Sequence, residues 1–347
     1  STYTINSALG NYTNGTAFSP TATASYTVSG TSTANCTSTN NAVLSITVNA
    51  LPTITANATS TFICVGGTVT LSGAGATTYT WTNGVVNNTA FTPTSTNNYT
   101  VNGTDGNGCV NTAQKSVTVN ALPAISATVT NSVICMNGTT SINASGANTY
   151  TINSSLGNYT SGVAFSPTAT SNYTVSGTST ANCTSTNNPV VSITVNPLPV
   201  ISATSDNSVI CMNGTTSING SGASTYTINS SLGNISNGAT FSPTLTTTYT
   251  VSGTSTANCT STNNAVIGIT VNPIPTITAT STSSVICRNA TTAINANGGN
   301  TYTISSSLGN FTNGVSFTPT STSNYTVSGT STAGCTSTNN PVLLVTV

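Results

Sequence analysis

The phrase CMNGTTSINGSGASTYTINSSLGN, Cys211–Asn234, has a near copy starting 76 residues earlier at Cys135 and a relative starting 76 residues later at Cys287. A period of this length is too long for ankyrin, leucine-rich or tetratricopeptide units and suits a small domain with its own core. The joints are marked by NALP (49–52), NALP (120–123), NPLP (196–199) and NPIP (272–275). They define a partial unit 1–52 and complete units 53–123, 124–199, 200–275 and 276–347. Proline stops a strand ladder from running through the joint, and four residues leave little room for free tumbling, so the reading is a stiff array. The partial unit begins at a motif, STYTIN, that recurs in mid-unit at Ser224, so its opening strands are missing. The expectation is that the 347 residues are a window on a longer array, with strand donation by a neighbouring molecule as the alternative.

Within a unit the pattern has period two. In 124–199, Tyr173 and Val175 alternate with Thr174 and Ser176, and Val191, Ile193 and Val195 alternate with Ser192, Thr194 and Asn196. Such alternation in Thr-, Val-, Ile- and Tyr-rich runs separated by NG, SG and GN turns predicts half-buried strands, six or seven per unit. No stretch has helical periodicity or the ~20 apolar residues of a membrane-spanning helix, so no direct membrane insertion is expected. The predicted class is all-β: a tandem array of two-sheet sandwiches. A β-solenoid, the rival, would show a far shorter period and no proline punctuation.

Charge decides what chemistry is excluded. The chain holds two Lys+Arg, two Asp+Glu and no His, 1% charged in all. The four are Asp105, Lys115, Asp206 and Arg288, scattered over three units. A triad, a carboxylate pair, a His-rich or multi-carboxylate metal site and a nucleic-acid surface all need more than this. Neither catalysis nor a cofactor is expected. Near-zero net charge removes long-range self-repulsion and favours self-association. Low-complexity disorder is disfavoured because 36% of residues are hydrophobic and stand in register.

Nine cysteines complete the reading. Cys64 and Cys109 are 45 apart, while Cys135 and Cys183, Cys211 and Cys259, and Cys287 and Cys335 are 48 apart. The simplest map is one disulfide per complete unit in those pairs, each stapling one end of a sandwich, with Cys36 unpaired because its partner would lie in the missing strands. Disulfides imply an oxidising compartment, hence an extracellular or cell-surface location.

Unit two carries FICVGGTVTLSGAGATTYTWTNG, FTPTSTNNYTVNGTDGNGC and KSVTVNALP. This combination resembles the Ig-like (PKD-like) repeats of Bacteroidota secreted and cell-surface proteins. The resemblance extends over the whole chain and implies tandem sandwiches, export and a surface role. The family tryptophan stands only at Trp81, with Ile5, Ile152, Ile228 and Ile304 elsewhere, and the GTDGNGC hairpin becomes GTSTANC, losing its Asp.

Trp81 reads as core or rim packing, with a sugar-stacking platform as the alternative. Tyr26, Tyr99, Tyr173, Tyr249 and Tyr325 recur at one strand start and read as core tyrosines whose hydroxyls are tied to backbone, resembling a tyrosine corner. Lys115 stands where other units have Val191, Ile267 and Leu343; it reads as a snorkelling side chain, a Lys–Asn crosslink being the sharper option. Two functions from different classes follow. One is a structural segment of an extracellular filament or stalk that self-associates or continues into a longer array. The other is an adhesin-type array binding glycans, surfaces or ice through flat Thr/Ser/Asn faces.

Overall fold

The computed structural model describes all 347 residues. The chain is all-β, with one 3-10 turn at Thr82–Gly84, and no helix is long and apolar enough to cross a membrane. Its contacts gather into two compact units. The first holds Ser1–Thr130, Ser141–Ala164 and Asn172–Ser192; the second holds Asn131–Thr140, Phe165–Ser171 and Ile193–Val347.

In the first unit the repeat around Trp81 shows the plan. One sheet has Val69–Ala74 between Thr55–Ala58 and Ala90–Phe91; the other runs in the order Phe62–Cys64, Val110–Asn120, Asn97–Thr104, Thr78–Trp81. The opening strand is split between them. Thr55–Ala58 lies antiparallel to Val69–Ala74, whereas Phe62–Cys64 crosses over and runs parallel to the last strand, Cys64 opposite Asn120. This opening-strand switch, in a pair of sheets that are otherwise antiparallel, gives an Ig-like sandwich.

The predicted alternation places its core. Val69 and Leu71 from one sheet meet Trp81, Tyr99, Val101 and Val117 from the other. Burying each such side chain is worth roughly 1.5–3 kcal/mol. Trp81 is 8% exposed. Its indole N–H donates to Asn87 Oδ1 at 3.0 Å, and the same oxygen accepts the Gly73 N–H at 2.8 Å. It is a core residue. Lys115 is half-buried on the last strand opposite Tyr99.

The first unit also holds the sheet of residues 1–52, in the order Gly10–Thr13, Thr2–Ser7, Ala24–Thr31, Ala42–Ile46. It corresponds to one layer of a sandwich. Tyr12, Phe18 and Tyr26 stack on one another with ring centres 4.1–5.5 Å apart. From the third repeat the first unit contains the pair Ser126–Val129 with Ile142–Ser145, and Thr149–Ser154 paired to Gly157–Tyr159 and to Thr174–Thr178.

The second unit repeats the plan. Thr216–Ser221 lies between Ser202–Ser205 and Thr240–Phe241, and the facing sheet runs Val209–Cys211, Ala265–Asn272, Thr247–Thr254, Thr225–Ser230, Gly233–Ile235. Ile218, Ile228, Tyr249, Val251 and Ile269 form its core. The last repeat packs Ile294 and Ala296 against Ile304, Tyr325, Val327 and Val345. Isoleucine thus fills the tryptophan position, fully buried at Ile228 and Ile304.

The recurring tyrosines Tyr26, Tyr99, Tyr173, Tyr249 and Tyr325 are at most 4% exposed, but at Tyr26 and Tyr325 the expected tie to backbone is missing. The hydroxyls of Tyr26 and Tyr325 have no backbone partner. Instead, Tyr79 donates to Ala76 C=O and accepts from Ala76 N–H, both at 2.7 Å. Tyr150 does the same with Ala147, Tyr226 with Ala223 and Tyr302 with Gly299, at 2.7–3.0 Å. The preceding glycine makes this loop possible. Gly75 has φ +95°, and a Cβ there would stand 1.8 Å from the Thr53 carbonyl oxygen; Gly146, Gly222 and Gly298 are held alike. The Gly-x-x-x-Tyr spacing is therefore a backbone-locking device. The rings of Tyr26 and Tyr325 are buried, and the hydroxyls of these two stop short of the backbone.

Candidate functional site: cystines that join one repeat to the next

Two local structures present the cysteines. The first closes the opening strands. Cys64 ends its strand opposite Asn120, Val65 N–H donates to Asn120 C=O at 2.9 Å, and Gly67 N–H returns to Cys64 C=O at 2.8 Å. Cys211 is held identically: it lies opposite Asn272, with Met212 N–H to Asn272 C=O and Gly214 N–H to Cys211 C=O, both at 2.8 Å. The turn needs a left-handed residue, supplied by Gly66 or by Asn137, Asn213 and Asn289. This cysteine thus sits where the repeat ends, beside the last residues of its final strand.

The second structure is the hairpin before that final strand. In the fourth repeat, Ser255 N–H donates to Cys259 C=O at 2.9 Å, Cys259 N–H to Ser255 Oγ at 3.2 Å, and Asn258 has φ 60°. In the second repeat Asp105 takes the serine's place, its Oδ1 accepting from Asn107 and Cys109 N–H at 2.8 Å each. The aspartate caps its own hairpin. An asparagine just beyond the cysteine then pins the hairpin to the start of the repeat. Asn187 Nδ2 donates to Ile125 C=O at 2.9 Å and its Oδ1 accepts from Ile125 N–H at 3.2 Å; Asn339 and Ile277 make the same pair at 2.7 and 3.0 Å. This cysteine therefore sits where its repeat begins.

The bonds formed are Cys64–Cys183, Cys135–Cys259 and Cys211–Cys335, with Cα atoms 5.5–5.6 Å apart. Each joins the exit cysteine of one repeat to the hairpin cysteine of the next. Cys183, Cys259 and Cys335 are fully buried, and Cys335 Sγ lies 4.0 Å from the carbonyl of Asn272, the last strand residue of the preceding repeat.

This corrects the expected map of 64–109, 135–183, 211–259 and 287–335, and with it the notion of one disulfide inside each domain. Cys64 stands opposite Asn120 and Cys109 just before Val110, at the two ends of one strand. Ten residues of strand separate their ends by roughly 33 Å, and a disulfide tolerates a Cα separation of no more than about 7 Å. Cys109 and Cys287 are free, as is Cys36; Cys36 and Cys287 are exposed and Cys109 is half-buried. The exit-to-hairpin rule leaves these three without a partner among the 347 residues. The missed signal was the parallel crossover of the opening strand, which carries the first cysteine to the far end of the sandwich.

The remaining charges lie outside these bonds. Asp206 is exposed and accepts from Ser217 and Asn219, and Arg288 is exposed beside Cys287. Burial pushes the phenols of Tyr249 and Tyr325 above their ordinary range.

No family model matches the chain. No curated protein matches it either. Among solved structures, the chain is similar to a Ca2+-stabilised adhesin with which an Antarctic bacterium binds ice (16% identity, TM-score 0.36, 86% of this chain and 99% of that one). It is also similar to part of a 1.5-MDa bacterial ice-binding adhesin (16%, TM-score 0.29, 65% and 100%) and to Drosophila N-cadherin EC1-4 (11%, TM-score 0.24, 78% and 91%). At these scores the likenesses carry no functional argument. The class stands on the sheet order itself: a tandem array of Ig-like β-sandwiches.

Proposed function

We propose that the chain is a non-catalytic structural segment of an extracellular or cell-surface filament or stalk, its sandwiches spanning 53–123, 124–199, 200–275 and 276–347. The observation that carries this reading is the set of cystines joining successive repeats. A cystine inside a domain stabilises that domain alone; a cystine between repeats fixes one domain to its neighbour and is useful to a protein whose task is to stay connected. Such bonds persist in oxidising compartments, which supports an extracellular location. A chain with four charged side chains meets little electrostatic opposition when copies associate. The partners of this reading are further copies or further repeats of the same kind.

Negative-stain microscopy of native material tests it. Fibres or stalks thousands of ångströms long are expected. Isolated particles the size of one 347-residue chain, together with binding on a glycan array or ice-recrystallisation inhibition by tandem repeats, would overturn it in favour of an adhesin.

A further inference from the structure

The exit-to-hairpin rule has a topological result. From Cys183 the chain runs 28 residues through the strand Val190–Asn196, the proline joint and the opening strands Ser202–Ser205 and Val209–Cys211. At Cys211 a cystine passes to Cys335, where the next such segment begins. Upstream, Cys36 to Cys64 is an equivalent segment, tied at Cys64 to Cys183. A second route uses the remaining segments: Cys109 to Cys135, a cystine, then Cys259 to Cys287. Residues 65–108, 136–182, 212–258 and 288–334 lie on neither route.

We propose that the cystines make the array a covalent cable of two tracks, staggered by one repeat, so that tension bypasses most of every sandwich. The load then passes through peptide and S–S bonds rather than through hydrogen-bonded sheets. The bypassed stretches hold the middle strands of each sandwich, such as Thr216–Ser221, Thr225–Ser230 and Thr247–Thr254, and the tyrosine-locked turns. Any of them can open under force without lengthening the cable appreciably, and can refold in place. The use of such a cable rests on the filament reading; its existence rests on the bond map alone.

The consequence is numerical. By the shortest covalent path, Ser1 to Cys64, Cys183 to Cys211 and Cys335 to Val347, the oxidised chain is roughly 100 residue steps long, at most about 360 Å. Without cystines it is ~346 steps, about 1,200 Å. Removing Cys211–Cys335 reroutes the path backwards through Cys135–Cys259 and adds roughly 100 steps, about 340 Å. Removing Cys135–Cys259 leaves the shortest path between the termini unchanged.

Single-molecule stretching of the full 347-residue chain through terminal handles decides the matter. The oxidised chain should reach its final contour below about 400 Å, and a thiol reductant should add about 850 Å, released sandwich by sandwich. Cys211→Ser should lengthen the oxidised chain by about 340 Å and Cys259→Ser should not lengthen it. Final contour is read after all folded structure is gone, so a variant that folds poorly still reports it. Unfolding steps of 200 Å or more in the oxidised wild type, or equal lengthening by both variants, would overturn the proposal. Short native particles under the microscope with this force behaviour intact would remove the filament and leave the cable.

Discussion

Residues 26–43 and 249–266 have the same eighteen-residue sequence, YTVSGTSTANCTSTNNAV. Both form the same hairpin. Gly30 and Gly253 N–H donate to Ser38 and Ser261 Oγ at 3.1 Å, Cys36 and Cys259 N–H to Ser32 and Ser255 Oγ at 3.2 Å, and Asn35 and Asn258 have φ 59° and 60°. Yet Cys259 is fully buried and bonded to Cys135, whereas Cys36 is an exposed free thiol. Val251 is fully buried while Val28 is half-buried, and Val266 and Val43 are exposed alike. The hairpin is encoded locally; burial and bonding come from a second sheet and an exit cysteine. The thiol is thus presented in its bonding geometry before any partner arrives.

The largest effect should follow from removing that partner. Cys135→Ser leaves Cys259 in the environment of Cys36, so its labelling by a thiol reagent should rise towards that of Cys36. In the chain-entropy picture a cystine closing a loop of this length is worth about 5 kcal/mol against the unfolded chain, and denaturant unfolding of the fourth repeat should register a loss of that order. Labelling of Cys259 that stays at zero would mean that packing alone hides it.

The two sheets should also part company in their cores. Ile228→Ala, at a fully buried site between two layers, should cost about 2–5 kcal/mol. Ile5→Ala, at the half-buried equivalent in the single layer, should cost less than about 1.5 kcal/mol by the area it exposes. Hydrogen exchange of the flanking strands measures both, and equal losses would show that residues 1–52 are covered as fully as a complete sandwich.

A smaller contrast lies in the tyrosine-locked turn. Tyr226→Phe removes both bonds to Ala223 and should cost about 1–3 kcal/mol. Tyr3 is the same position in the first sheet and is 56% exposed, so Tyr3→Phe should be silent in the same exchange measurement.

The smallest effect is on pH. Burial raises the Tyr249 phenol above 10.0, and Tyr26 shifts the same way, burial leading and Tyr12 adding to it. The folded state prefers the neutral phenol, so this contribution is fully present below the unfolded value of about 10 and is lost as pH rises through and beyond it. Thermal melts of the native chain should fall above pH 10, less so for Tyr249→Phe. A melt that rises there would contradict the burial.

The period of 76, the alternating strands and the core isoleucines were legible because each is a local pattern with a local physical cause. The disulfide map was not. Spacings of 48 within a repeat and 124 between neighbours differ by one period, so both maps are equally regular in the sequence. Only the crossover that sets Cys211 opposite Asn272, far from the hairpin of Cys259, separates them. The tyrosines misled for a related reason. Burial of Tyr249 follows from alternation, but the hydroxyl's destination depends on a loop, and the loop that meets a hydroxyl is the one turned by Gly222 toward Tyr226.

Non-reducing peptide mapping reads the bonds between repeats themselves. The exit peptides of the third and fourth repeats are distinguishable because Ala144 in one stands where Gly220 does in the other. Linked peptides 64–183, 135–259 and 211–335 are expected. Recovery of 135–183 and 211–259 instead would contradict bonds between repeats.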